Sequence, residues 1–154
     1  MMEYLIFSAL FIVLHIISYY TAGAINYRFT KDIYTGEDSL STYFLRDTSK
    51  KEEALRINKL LIPGQIIRGL LMSVVLYPLL GPLGELSFVL RFAFLGGIML
   101  IYADFASAIP FCNTIEGLIY MKKRFVTRDI FLKIGSEAVI YSVLFGLLSS
   151  YFLF

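Results

Sequence analysis

Five ionisable side chains stand inside the long apolar stretches of this chain: His15, Arg68, Arg91, Asp104 and Glu137. Such groups are expensive in hydrocarbon, so they mark either function or a structural ion pair. Four of them share a depth. At about 1.5 Å per helical residue, His15, Asp104 and Glu137 lie about 8–10 Å from one boundary, and Arg68 about 5–12 Å from it. Arg91 lies near the opposite boundary, close to Glu85. An arginine, two carboxylates and an imidazole in one layer could form a closed ion-pair network. The layer reads either as a proton, ion or solute site, or as a structural tie between four helices with Arg68 snorkelling to the surface.

His15 belongs to a stripe, His15, Ser18, Tyr19 and Ala22, at i, i+3, i+4, i+7, which predicts a face turned into a bundle. A lone histidine reads as a hydrogen-bonded packing residue rather than a metal or haem ligand, because axial ligation needs a second partner. Cys112 is the only cysteine. It forms no internal disulfide and no Cys/His metal motif; it reads as an unmodified thiol, with acylation the alternative. No Walker loop, nucleophile elbow or HExxH motif occurs, and no D-x-x-D cluster is present to hold Mg²⁺ on a phosphate. No cofactor and no metal are expected.

The elements that must hold these residues are membrane helices. Hydrophobic residues make up 58% of the chain, against about 45–50% in soluble domains, and mean hydropathy is +0.72. The fold class is an all-α membrane protein, a bundle of four transmembrane helices in one domain. The spans are expected at about 4–24, 65–80, 86–109 and 130–154. Each supplies close to the length that crosses a bilayer core. Tyr4 to Ala24 reads as a retained span and not a signal peptide, since Met1-Met2-Glu3-Tyr4 lacks a positive start.

Charge gives the orientation. Twelve of the fourteen Lys and Arg residues fall in two gaps or at their edge: Arg28, Lys31, Arg46, Lys50, Lys51, Arg56 and Lys59, then Lys122, Lys123, Arg124, Arg128 and, at the start of the fourth span, Lys133. Cytoplasmic loops carry such an excess. Loops 25–60 and 110–129 are therefore expected in the cytoplasm, with N-out/C-out topology in the cell membrane. A net charge of +2 gives no reason to expect nucleic acid. Lys122, Lys123, Arg124 and Arg128 are candidate contacts to anionic lipid headgroups.

Two short interfacial helices are expected on the cytoplasmic side. Ser49 with Glu52 forms a capping-box pattern, followed by Leu55, Ile57, Leu60 and Leu61 on an apolar face. Pro63-Gly64 should separate this helix from the second span. Asn113 with Glu116 gives a second N-cap pattern, with a re-entrant half-helix at 111–121 the alternative. Gly81 to Glu85 is so short that spans two and three should be antiparallel neighbours. Pro110 should end span three.

Span four carries Ala138, Ser142, Gly146 and Ser150, a small-residue ridge that lets helix backbones approach. It could meet another span, with Gly96-Gly97 reciprocating, or a second protein. Three readings follow. The first is a non-catalytic subunit or scaffold packing against other membrane chains or itself. The second is a small oligomeric ion, proton or solute transporter using the charged layer. The third is a membrane enzyme acting on a lipid, with His15, Asp104 or Glu137 as acid or base.

Overall fold

A computed structural model describes residues 2–35, 43 and 45–154. Helix α1 spans Met2–Tyr34 and α2 spans Lys51–Leu76; a 3₁₀ turn, Tyr77–Leu79, leads into α3, Leu80–Glu85. Helix α4, Phe88–Gly97, continues as π-helical turns over Ile98–Phe105. A short α5, Ile115–Tyr120, precedes α6, Arg128–Phe152. Four helical segments are long and apolar enough to cross a membrane: Met2–Tyr34, Lys51–Glu85, Phe88–Phe105 and Arg128–Phe152.

The long helices form an open row, not a closed bundle. Helix α2 packs on α1, α1 on α6, and α6 on α4 and its π-helical continuation. Helices α2 and α4 share no extended contact. The expectation that spans two and three are neighbours is thus corrected: the turn between them is short, but α1 and α6 lie between the helices it joins. Neighbours in the row are antiparallel. Tyr4 stacks by Tyr77 at 4.6 Å, Ser8 bonds Ser73, Phe11 meets Phe145 and Phe7 meets Phe154. Both termini and the 77–87 turn share one end, the turn end. The C-terminal end of α1 at Tyr34, the start of α2 at Lys51, and the segment between the π turns and α6 occupy the other, the loop end.

Several boundaries differ from the sequence reading. Helix α1 does not stop near Ala24. Its buried stripe continues through Ala22, Asn26, Thr30 and Ile33, because Asn26 finds partners on α6 and Thr30 bonds back to Asn26 O. Helix α2 runs unbroken through Pro63, so no separate first interfacial helix exists. Proline deletes one backbone hydrogen bond there without ending the helix. The capping box is also absent: Ser49 donates to Asp47 Oδ1 from both N–H (2.9 Å) and Oγ (2.6 Å), and Glu53, not Glu52, accepts from Asp47 N–H. Span three ends at Phe105, well before Pro110.

The ridge on α6 lies inside the chain. Ala138, Ser142, Gly146 and Ser150 are all buried. A Cβ on Gly146 would sit 3.0 Å from Gly96 N, and one on Gly96 would sit 3.1 Å from Ser142 O. Gly96 supplies the reciprocal approach, whereas Gly97 faces open space. The ridge serves the α4–α6 contact and is not free for a second protein.

Candidate functional site

Three of the four layer residues converge on one cavity of about 180 Å³. Arg68 reaches it from α2, Asp104 from the π-helical turns and Glu137 from α6. Tyr19, Ala22 and Tyr34 of α1 and Ile134, Ala138 and Tyr141 of α6 complete much of the wall, with Phe111 from the following loop. The open row creates this space. Helices α1 and α6 form the floor, and α2 and the π turns flank it without closing over it. The π-helical register, marked by the Ala106 N–H donating to Ile101 O at 2.7 Å, shifts side chains relative to an α-helix. Such turns are frequent at functional sites.

The expected closed ion-pair network is not what the geometry contains. Among the described residues, the only ion pairs are Lys133 with Asp32 (2.8 Å) and with Asp129 (2.9 Å). Each carboxylate is instead held by a neutral amide. Asn26 Nδ2 donates to Glu137 Oε2 at 3.2 Å and to Lys133 O at 2.9 Å, while Ser136 Oγ donates to Asn26 Oδ1. Asn113 Nδ2 donates to Asp104 Oδ1. Arg68 is exposed and lines the cavity without an ion pair. Amide anchoring fixes both carboxylates without an ion pair among the described residues.

His15 lies behind the cavity wall. It is fully buried, and both ring nitrogens are engaged: Nε2 with Gln65 Oε1 at 2.9 Å and Nδ1 with Tyr141 Oη at 2.7 Å. With the Gln65 oxygen as acceptor, Nε2 carries the proton, and Nδ1 shares the single Tyr141 Oη proton with Met99 Sδ, 3.7 Å from that hydroxyl. Gly69 permits this arrangement, since a Cβ there would stand 3.3 Å from His15 Cδ2 and 3.2 Å from Ile12 Cα. His15 therefore positions Tyr141 and offers no nitrogen to a ligand. No group of three or more metal-ligating side chains occurs among the described residues.

The loop after the π turns was misjudged from sequence. Asn113 is not an N-cap; it is buried and spent on Asp104. The cap of α5 is Thr114, whose Oγ1 accepts from Gly117 N–H at 2.9 Å and from Phe111 N–H at 3.0 Å. The loop folds so tightly that a Cβ on Gly117 would fall 1.6 Å from Phe111 O, so only glycine fits. Cys112 is fully buried in this loop, and burial pushes its thiol pKa up, which disfavours acylation. Of the basic cluster, Lys122, Lys123, Arg124 and Arg128 are exposed. Arg124 lies 5.0 Å from the Tyr43 ring centroid, tying the two loops together.

Arg91 forms no ion pair with Glu85. Its guanidinium donates to Leu86 O (2.7 Å), Gly84 O (3.2 Å) and Ser150 O (3.3 Å) and lies 4.9 Å from the Phe154 ring centroid. It caps the C-terminal ends of α3 and α6 together, where carbonyls lack helical partners and the dipole favours a cation.

Sequence reasoning missed Asn26, Tyr34, Gln65 and Phe111. The signal for Asn26 was present as the i, i+4 continuation from Ala22 to Thr30. In comparisons with known proteins, no family model, no curated protein and no solved structure matches this chain.

Proposed function

We propose that the cavity between α2 and the π turns is the working site of a small, non-enzymatic membrane protein that binds and moves a small polar solute. In this reading the four apolar helices cross the cell membrane with both termini outside, and loops 25–60 and 110–129 are cytoplasmic. The charge asymmetry of those loops supports that orientation. Helix α5 then lies at the cytoplasmic interface with Ile115, Leu118 and Ile119, all exposed, toward the lipid. Lys122, Lys123, Arg124 and Arg128 face anionic headgroups.

The observation that carries the reading is the convergence of Arg68, Asp104 and Glu137, from three different helical segments, on one space without pairing. Ionisable side chains within apolar segments mark ion and substrate paths when they face a water-accessible cavity. The ridge that favoured a subunit role from sequence is used within the chain, which weakens that reading relative to transport. The enzyme reading loses His15 as its acid or base, because both ring nitrogens are engaged within the fold, and rests on Asp104 or Glu137 alone.

Purified protein reconstituted into liposomes should take up a small charged solute. Glu137→Gln and Asp104→Asn should each cut uptake about tenfold or more, the loss expected when a charge-assisted contact is removed. Absence of uptake across a panel of ions, amines and amino acids would sink transport.

A subunit or self-associating role is the second reading, favoured by one specific feature. Among the described residues α2 makes extended contact with α1 alone of the long helices, and Ile67, Leu71 and Val75 on it are 60%, 64% and 72% exposed. That face meets lipid or another chain. Mild-detergent purification from native membranes distinguishes the two: a stoichiometric companion or a defined oligomer supports the role, and a clean monomer counts against it.

A further inference from the structure

The signs of the charges around the cavity, and the helices they come from, restrict what it can hold. The guanidinium of Arg68 comes from α2 on one flank. Asp104 comes from the π turns on the other, and Glu137 from the α6 floor. Among the described residues no ion pair joins Arg68 to either carboxylate, although its charge is felt at Asp104, so the lining offers one cationic group and two carboxyl groups. Asn113 and Asn26 hold the two carboxylates in place. The remaining wall is largely aromatic, with Tyr19, Tyr34, Phe111 and Tyr141, and aromatic faces attract ammonium groups.

An anion alone would pair with Arg68 and meet two carboxylates. A cation alone would pair with the carboxylates and meet Arg68. A molecule carrying both charges, with its acidic end at Arg68 and its ammonium end at Asp104 and Glu137, compensates every group at once. The space is about 180 Å³, below the ~300–1,000 Å³ of drug-sized pockets, which suits a headgroup-sized ligand.

We propose that the cavity binds a small zwitterion, an ammonium joined by a short linker to a phosphate, such as ethanolamine phosphate, either free or as a phospholipid headgroup entering sideways between α2 and the π turns. The proposal rests on the reading of this cavity as a ligand site. The cavity lies toward the loop end, where α1 ends at Tyr34 and the π turns end at Phe105, so a headgroup would reach it without crossing the apolar middle of the row.

Binding is tested on the purified full chain by calorimetry with three soluble probes: ethanolamine phosphate, ethanolamine and inorganic phosphate. The zwitterion should bind at least about tenfold more tightly than either half, as expected when each end contributes a charge-assisted contact. Arg68→Gln and Glu137→Gln should each weaken it about tenfold, while Arg68→Lys retains part of the affinity. In a parallel arm, protein in phosphatidylglycerol nanodiscs with or without phosphatidylethanolamine is read by native mass spectrometry for retained lipid. Retention abolished by Arg68→Gln assigns the headgroup as source; binding of the soluble probe alone assigns a free solute. Ethanolamine binding as tightly as the zwitterion, binding unaffected by Arg68→Gln, or no binding in either arm overturns the proposal. Binding without liposome uptake would leave this inference standing and remove transport; uptake of a solute without zwitterion binding would do the reverse.

Discussion

Arg91 and Arg68 are the two arginines set within the apolar stretches, and the two ends of the molecule treat them in opposite ways. At the turn end Arg91 is 8% exposed, donates to three carbonyls and lies beside Phe154. Its charge is consumed by helix C-termini, so it is part of the scaffold. Toward the loop end Arg68 is exposed and lines a cavity with two carboxyl groups that amides hold and with which it forms no ion pair. Residue type is the same; what differs is whether the backbone nearby has unpaired acceptors. A guanidinium whose terminal nitrogens donate to backbone carbonyls stabilises the fold, although the Arg91 Nε is left without a hydrogen-bond partner among the described residues; a charge left facing a cavity is available to a ligand.

Removing the two guanidiniums tests this contrast most strongly. Arg91→Gln leaves buried carbonyls at two helix ends without a charged donor and should cost about 2–4 kcal/mol in detergent unfolding. Arg68→Gln should change stability by no more than about 0.5 kcal/mol, as at exposed positions generally. Equal losses would erase the contrast. The glycines give a matched pair at the α4–α6 contact and beside it: Gly146→Leu drives a side chain into the Gly96 backbone and should cost about 3 kcal/mol, the upper range for overpacking. Gly97→Leu meets open space and should be close to neutral.

Smaller effects probe the loop that supports the cavity. Gly117→Ala must displace Phe111 and should cost about 1–3 kcal/mol, while loosening Asn113 from Asp104. Raised Cys112 labelling by maleimide in that variant would report the opening. In the parent protein Cys112 should label far more slowly than an exposed thiol, because it is buried and its raised pKa leaves less thiolate near neutral pH; rapid labelling would mean the loop is not closed. The smallest effect is at Asp47, whose carboxyl is held below its ordinary value by the Ser49 hydrogen bonds. A lowered folded pKa means that the turn is supported above the ordinary carboxylate range and weakens as pH falls through the folded value. Ser49 amide exchange, corrected for intrinsic rate, should therefore gain protection as pH rises from the lowered folded value of Asp47 through its ordinary one, with no such gain in Asp47→Asn.

The legible part of the structure was the part set by local composition. Long apolar runs gave four helices, and the depth of ionisable residues along them placed Arg68, Asp104 and Glu137 at one level. Proline was over-read: Pro63 does not break α2, because the helix loses a single hydrogen bond and its neighbours keep theirs. Asn113 was over-read as a cap for the opposite reason, since Thr114 two positions before Glu116 captures the free N–H groups and releases the amide for Asp104.

By itself the sequence determined an all-helical chain with four segments long and apolar enough to cross a membrane, and which residues are charged within them. Hydrophobic runs and periodicity are local, so they survive without knowledge of partners. Only the tertiary structure decided the order α2–α1–α6–α4, which leaves a gap where a closed bundle would have none. It also decided that the small-residue ridge is spent on Gly96, and that one arginine is capped by carbonyls while the other faces an open charge pair. Those outcomes depend on which backbone groups and side chains meet across helices far apart in the chain, and no local pattern encodes that meeting.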